Sequence, residues 1–399
     1  MSLQRVAMGC VLVTVAAGSA EAQFSAPFRE GSVQVHGFFT QGYAISNQNN
    51  YLTMNTSKGT AQMTDGGLNM SWKINGKLRV GAQVYDRYIG ELGKGKATID
   101  WALVDYRFRD WLGFRAGKVK TPMGLFTDAQ DQEFLYTWAL LPQAVYPLDT
   151  RETNIAHVGG DVYGSWGIKR AGVLSYQVYA GHVPSDYRNG FYYGLQDAGY
   201  SNVVYDTNTF GYDLRWTAPV SGLTAGVSQS STPRTSSGML PGLPFVATAK
   251  TESHSTGLYA EFSRGRWRLD GEWRTNKQLT QIFGLPPGFP SMTGETAHPW
   301  FTALSYRFSK FVEVGAYRSQ YRYQTLFNQI FAGPSAGRMD DTTFSLRLDP
   351  KPFWNLKIEG HFMDGVGGVL TLRGFYPHNN PQGLKPTTNL LVLRTGFNF

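Results

Sequence analysis

Along most of this chain apolar and polar residues alternate one for one, and the alternation breaks at connections that are by turns long and very short. Successive side chains of a β-strand point to opposite faces, so each alternating run reads as a strand with one greasy and one polar face. The C-terminus shows it most clearly. Leu391, Leu393, Thr395, Phe397 and Phe399 share one face, while Arg394, Gly396 and Asn398 share the other. The pattern predicts strands at 33–43, 68–74, 78–88, 98–108, 112–120, 155–166, 173–183, 210–216, 223–228, 256–262, 267–273, 300–308, 312–323, 342–348, 356–362 and 389–399. Asn75-Gly76, between the second and third runs, is the strongest short-range hairpin signal available.

Sixteen runs, with short turns at one end and long loops at the other, predict an all-β, 16-stranded antiparallel transmembrane β-barrel. A barrel of that size encloses an aqueous channel. The final strand is expected to close the barrel against 33–43. A soluble sandwich has no need of such regular long and short connections, and two sandwiches would be joined by a linker that the chain lacks.

The N-terminus changes the picture next. Arg5, an apolar run over 6–17 and the small residues Ala20 and Ala22 form a secretory signal peptide, so residues 1–22 are expected to be cleaved. Residues 23–399 are then the barrel domain. Cleavage before Cys10, as in a lipoprotein, would leave too short an apolar run ahead of the cysteine. Because Cys10 is the sole cysteine, the exported protein has no disulfide and no thiolate metal site or nucleophile.

Composition fits a membrane barrel despite a soluble-looking mean hydropathy of −0.29, because only alternate residues face lipid. The 22 Tyr, 25 Phe and 10 Trp suit aromatic girdles at the two membrane interfaces. A net charge of +8 raises the question of nucleic acid. The basic residues are dispersed singly along strands, and export removes the chain from the cytoplasm, so nucleic acid is not an expected partner.

Strand parity assigns faces. Val80, Val104, Tyr106, Leu174, Tyr212, Trp216, Leu258, Trp267, Leu304 and Phe344 fall on the lipid face. The opposite face carries Lys73, Arg79, Arg107, Arg115, Arg215, Arg266, Arg268, Arg274, Arg307, Arg347, Lys357 and Arg394, with Asp105, Asp213, Glu261, Asp270, Glu272, Glu313 and Glu359 among the acids. These are the expected pore-lining residues. The basic surplus leans the lumen toward anions; cross-strand ion pairing is the alternative role for any one of these arginines.

The longest interruption, 121–153, follows the fifth strand and mixes apolar residues with Asp128, Asp131, Glu133, Asp149, Arg151 and Glu152. The stretch 104–161, with DYRFRDWLGFRAGKVKTPMGL and LLPQAVYPLDTRETNIAHVGGDVYG, resembles outer-membrane porins of the phosphate-selective O/P group. That resemblance implies a passive channel in the Gram-negative outer membrane, a third extracellular loop folded inward as the constriction, and a homotrimer. It also implies that Phe397 and Phe399 are read by the barrel-assembly machinery. The chain departs from the group in one respect. Its loop is rich in carboxylates where phosphate-specific members place a lysine cluster, so phosphate specificity is not carried over. Lys118 and Lys120 lie near the loop's base at lipid-face parity, requiring either a bulge or snorkelling.

Catalysis has little support. The seven histidines show no metal-binding spacing, and His157 and His361 are expected to be solvated lumen residues. No cofactor or metal is expected, and the chain reads as a non-enzyme. The expected function is passive diffusion of small hydrophilic solutes or ions, filtered at the third loop. A structural or adhesive barrel with long surface loops is the alternative, and an outer-membrane hydrolase is less favoured.

Overall fold

A computed structural model describes residues 31–239, 246–285, 288, 291–325, 337–367 and 373–399. The signal segment, with Ala20 and Ala22, lies outside the described residues. The strands are β1 (Val33–Ser46), β2 (Thr60–Lys73), β3 (Leu78–Ile89), β4 (Thr98–Arg109), β5 (Leu112–Lys120), β6 (Ala156–Ile168), β7 (Gly172–Val183), β8 (Ser201–Thr217), β9 (Leu223–Met239), β10 (Val246–Arg264), β11 (Trp267–Phe283), β12 (Met292–Ala297), β13 (Trp300–Arg307), β14 (Val312–Thr325), β15 (Arg338–Lys351), β16 (Trp354–Gly367) and β17 (Thr387–Asn398). One eight-residue helix, α1 (Gly190–Asp197), lies between β7 and β8.

All pairings are antiparallel, and β17 closes on β1 with Gly42 opposite Arg394 and Phe39 opposite Phe397. β12 and β13 are two halves of one stave. Both pair with β11 on one side and β14 on the other. Pro299 sits between them and has no N–H to donate, which interrupts the hydrogen-bond pattern. The stave nevertheless stays docked: Pro299 O accepts from Arg274 N at 2.8 Å, and His298 N donates to Arg322 O at 2.9 Å. The seventeen segments therefore make a closed barrel of sixteen staves.

Several staves are longer than hydrophobic alternation predicts. β8, β9 and β11 each run 17 residues and β10 runs 19, against the roughly 9–11 needed to cross a bilayer. Their extra lengths, such as Ser228 to Thr235 on β9, are rich in Ser and Thr. Alternation fades there because beyond the membrane both faces of a strand are polar. The same reason hides the first half of β2, whose Thr60 to Gly67 reads as loop but pairs with β1 and β3.

The outer face carries the apolar band: Phe344, Leu258, Trp267 and Val104 are exposed, as water-facing core residues would not be. The short-turn end is tightly made. Phe399 N donates to Gly37 O at 2.9 Å and its carbonyl accepts from Gly37 N at 3.0 Å. The Phe399 ring lies over Gly37 so closely that a Cβ there would come within 2.3 Å of it. Only glycine permits that seat. Trp354 stacks on Phe397 with ring centroids 5.9 Å apart, the kind of cross-strand aromatic pair that fixes register.

Candidate functional site

The inner face is a lattice of ion pairs. Arg79 bonds Asp105 at 2.9 Å, Arg115 bonds Asp161 at 3.0 Å, and Arg268 bridges Glu261 and Asp270 at 3.0 and 2.9 Å. Arg215 stands 3.8 Å from Asp213 and donates to Tyr259. Arg274 pairs with Glu272, Arg307 with Glu313 and Asp349, and Arg347 with Asp349. Parity placed these side chains on one face; cross-strand register brought Arg79, Arg115 and Arg307 opposite Asp105, Asp161 and Glu313, while Arg215, Arg268, Arg274 and Arg347 each meet an acid two residues away on their own strand. Two residues expected in the lumen sit elsewhere or alone. Arg266 occupies the exposed turn between β10 and β11, outside both strands, because β10 ends at Arg264 and β11 starts at Trp267. Arg107 faces inward near the short-turn rim, with no carboxylate at ion-pair distance among the described residues. Lys73 ends β2 beside the Asn75-Gly76 turn.

The segment 121–155 contains three short 3-10 turns and bonds to strands distant from its own. Glu133 pairs with Lys357 of β16. Lys357 Nζ also donates to the carbonyls of Glu133 and Trp138 at 2.7 and 2.8 Å. Ala139 N and Leu140 N donate to the two oxygens of Glu359 at 2.9 and 2.8 Å. Arg347 of β15 binds the Phe134 and Tyr136 carbonyls, and Arg394 of β17 binds Ala139 O at 2.7 Å and Asp65 at 2.7 Å. Nearer its ends, Arg151 makes a two-pronged pair with Asp100 and lies over the Tyr85 ring at 4.1 Å. Apolar packing completes the seat: Phe126, Tyr136, Trp138 and Tyr146 are buried against Phe301 and Tyr317 of the wall.

This places the segment's acids differently from the expectation that they face a solute. Asp131 is held by Lys120 at 2.6 Å and by Gln83, Glu133 by Lys357 and Asn355, and Asp149 by Tyr376 and Gly374 N. Of these acids only Asp128 is exposed. Burial alone would raise the carboxyls of Asp131 and Glu133. The neighbouring cations, Lys120 and Arg151 for the first and Lys357 and Arg394 for the second, outweigh it and hold both below the ordinary carboxylate range.

The charges of the wall differ in exposure, and the segment covers some on both sides of the barrel. Arg274 and Glu272 of β11 are 10% and 0% exposed, with Glu272 accepting from Leu125 N and the Tyr146 hydroxyl, while Arg307 of β13 is 40% exposed. The side chains of Arg115, Arg215 and Arg268 on β5, β8 and β11 are 21%, 35% and 31% exposed. Those of Lys357, Arg394 and Arg347 on β15 to β17 are 0%, 8% and 10% exposed.

Both histidines expected in lumen water are buried instead. His361 lies between Asp341 and Glu359 at 3.0 and 3.1 Å, with Tyr317 and Leu140 closing over it. His157 packs on Tyr179 and bonds Thr121 at the segment's root. The segment that covers His361 is remote from it in sequence, so strand parity alone could not show the burial. Lys120 does not snorkel to the membrane edge but reaches from the end of β5 into the segment, to Asp128 O and the buried Asp131, and Lys118 donates to Ile99 O at 2.6 Å; β5 and β6 pair without a register shift. Parity did carry further inward residues that went unassigned: Arg87, which binds Glu152 and the Leu148 carbonyl, and Asp65, Asp161 and Arg234.

No family model matches the chain, and no curated protein matches its sequence. Solved structures do resemble it in shape. OmpT of Vibrio cholerae, an outer-membrane protein, superposes with a TM-score of 0.57 at 9% identity, over 94% of this chain and 99% of that one. The anion-selective porin of Comamonas acidovorans gives 0.55 at 11%, over 92% and 99%. The outer-membrane channel DcaP of Acinetobacter baumannii gives 0.54 at 10%, over 92% and 97%. At such identities the likeness is one of fold. No helix among the described residues is long and apolar enough to cross a bilayer, so the crossing is made by strands. A closed barrel with an apolar outer band belongs in the Gram-negative outer membrane.

Proposed function

We propose that this barrel is a passive channel for small hydrophilic solutes, with segment 121–155 folded inward as its filter. The observation that carries the reading is the uneven covering of the wall charges. The segment's bonds cover Lys357, Arg394 and Arg347 on β15–β17 and Arg274 and Glu272 on β11, and leave Arg115, Arg215, Arg268 and Glu261 only partly covered. Solute then passes along β4–β11, in contact with alternating Arg and Asp, and leaves without energy input. Two of the barrels it resembles in fold are described as a porin and a channel.

The lean toward anions rests on the basic surplus alone. Most inward cations are neutralised by a neighbouring carboxylate, so the preference is modest. Arg107 and Arg234, which have no carboxylate at ion-pair distance among the described residues, contribute most to it. A homotrimer, recognition of Phe397 and Phe399 by the assembly machinery, and cleavage after Ala22 complete the proposal. The buried setting of His361, sealed between Asp341 and Glu359, supports a non-enzymatic reading, since a general base needs access to substrate. The staves of β8–β11 that extend past the membrane favour one second reading, a barrel that binds a surface partner.

Planar-bilayer recording of purified protein separates the two. Stepwise conductance is expected; its absence from well-folded protein sinks the channel. In a salt gradient the reversal potential should show a small anion preference, and larger cation current refutes it.

A further inference from the structure

The short turns of the barrel carry a ring of unpaired positive charge. Lys169 and Arg170 stand in the turn between β6 and β7, and Arg264 and Arg266 flank Gly265 between β10 and β11. Single cations mark four more turns: Lys77, Arg109, Lys310 and Lys351. Of the seven short turns, only residues 218–222 between β8 and β9 lack a charge. All eight side chains are exposed, and none has an ion-pair partner among the described residues. Against them stand Asp110 and the C-terminal carboxylate, because Asp349 is held by Arg307 and Arg347. Exposed rings are interleaved with the cations. Phe108, Trp166, Trp267 and Phe308 continue the lipid-facing parity of their strands down to the turns. Lys77 Nζ and the Arg109 guanidinium each lie 5.8 Å from the centre of the Phe108 ring, and Lys310 Nζ lies 4.9 Å from that of Phe311. Such rings settle at the headgroup level of a bilayer, so the cations over them are held at that depth.

We infer that this ring docks anionic phospholipid headgroups of the periplasmic leaflet. Short turns of an outer-membrane barrel face the periplasm, so the leaflet at their level is the periplasmic one. A phosphate diester accepts paired N–H bonds from arginine and the point charge of lysine. A headgroup beside one such cation gains roughly fivefold over a neutral one. The setting favours lipid over other anions. The cations on Phe108 stand over a ring that points away from the lumen, where a solute in the channel does not meet them. They are spread around the circumference, from the β2–β3 turn to the β15–β16 turn, which suits a surrounding leaflet; a folded protein would meet a patch. The interleaved rings then give the acyl chains an apolar contact next to the headgroup. The inference uses the barrel's place in the membrane and stands whether or not the barrel conducts.

The test refolds the full barrel into phosphatidylcholine bilayers containing brominated phosphatidylglycerol or, separately, brominated phosphatidylcholine, and reads lipid preference from quenching of tryptophan fluorescence. Trp166 and Trp267 adjoin the basic turns and report on them. A preference for phosphatidylglycerol of roughly fivefold is expected at low salt. It should fade in 1 M salt, where the screening length falls to about 3 Å. Lys169→Gln, Arg170→Gln, Arg264→Gln and Arg266→Gln combined remove half of the ring and should remove about half of the preference. Replacing Lys58, Lys96, Lys250 and Lys277, toward the long-loop end, by Gln takes away the same charge and should leave most of it. Each variant is first shown to retain the folded gel mobility of a barrel. A parent without the preference, a preference indifferent to salt, an undiminished preference in the ring variant, or equal loss in both variants overturns the inference. So does binding of soluble polyglutamate by the detergent-solubilised parent without any phosphatidylglycerol preference, which would assign the ring to a soluble anionic partner.

Discussion

Replacing Lys357 by Met tests whether segment 121–155 is pinned to the wall by charge. Lys357 is fully buried, paired with Glu133 and donating to two segment carbonyls. Methionine fills much of the same volume, so the perturbation is mainly electrostatic. It leaves Glu133 as a buried carboxylate without its ion-pair partner, hydrogen-bonded by Asn355 and with Arg394 the remaining cation nearby, a situation that costs about 3–5 kcal/mol. If that cost falls on the seated arrangement, the released population rises by roughly a hundredfold to a few thousandfold, at about 1.4 kcal/mol per tenfold. The assay is paired: thermal loss of folded gel mobility, and open-channel noise in bilayer recordings. The variant should unfold earlier and fluctuate between conductance levels that the parent does not visit. Lys357→Met with Glu133→Leu removes both charges and should be less damaged than Lys357→Met alone, because no orphan charge remains. Wild-type stability and quiet conductance in the single variant would refute the argument, as would a double variant worse than the sum of the singles.

Other perturbations address other links. Asp131 and Glu133 are held below their unfolded values, which are about 3.9 and 4.3. Their contribution is therefore fully present above pH 5 and is lost as pH falls through the lower folded values; thermal stability measured against pH should hold to pH 5 and drop below about 4, and a profile flat to pH 3 would contradict it. Ile358→Lys places a charge on the exposed outer face of β16 and should cost about 2–4 kcal/mol in refolding titrations into bilayers. Thr343→Ser, on the buried face of β15, should cost far less, and equal costs would mean the faces are misassigned. Deleting Phe399 removes the two backbone bonds and the ring seat at Gly37, so pulse-chase assembly in cells should slow while conductance of inserted protein stays the same; normal assembly with altered conductance argues against an assembly role.

Much of this barrel is legible in its sequence because its governing rule is local. A period of two puts Leu391, Leu393 and Phe397 on one face and Arg394 on the other whatever the rest of the chain does. Sixteen such runs with alternating connections leave few architectures other than closure. The rule fails where both faces are polar, as over Thr60 to Gly67 and the outer lengths of β8–β11, and where proline splits a stave at Pro299. Those lengths emerge only from backbone pairing with neighbours.

Pairs two residues apart, such as Arg268 with Asp270 and Arg274 with Glu272, were within reach of the sequence, but the long-range partners were not. Lys357 and Glu133 are separated by more than two hundred residues, and so are Glu359 and Leu140; nothing periodic connects them. Parity states which way a side chain points, while burial depends on what arrives in front of it. His361 points inward as its register requires, yet it is sealed from water by a segment rooted on the far side of the barrel. The sequence by itself determined the wall, its two faces and its closing strand, because strand geometry repeats every second residue. Tertiary structure alone decided which inward side chains are covered, because that depends on contacts across the barrel between residues far apart in the chain.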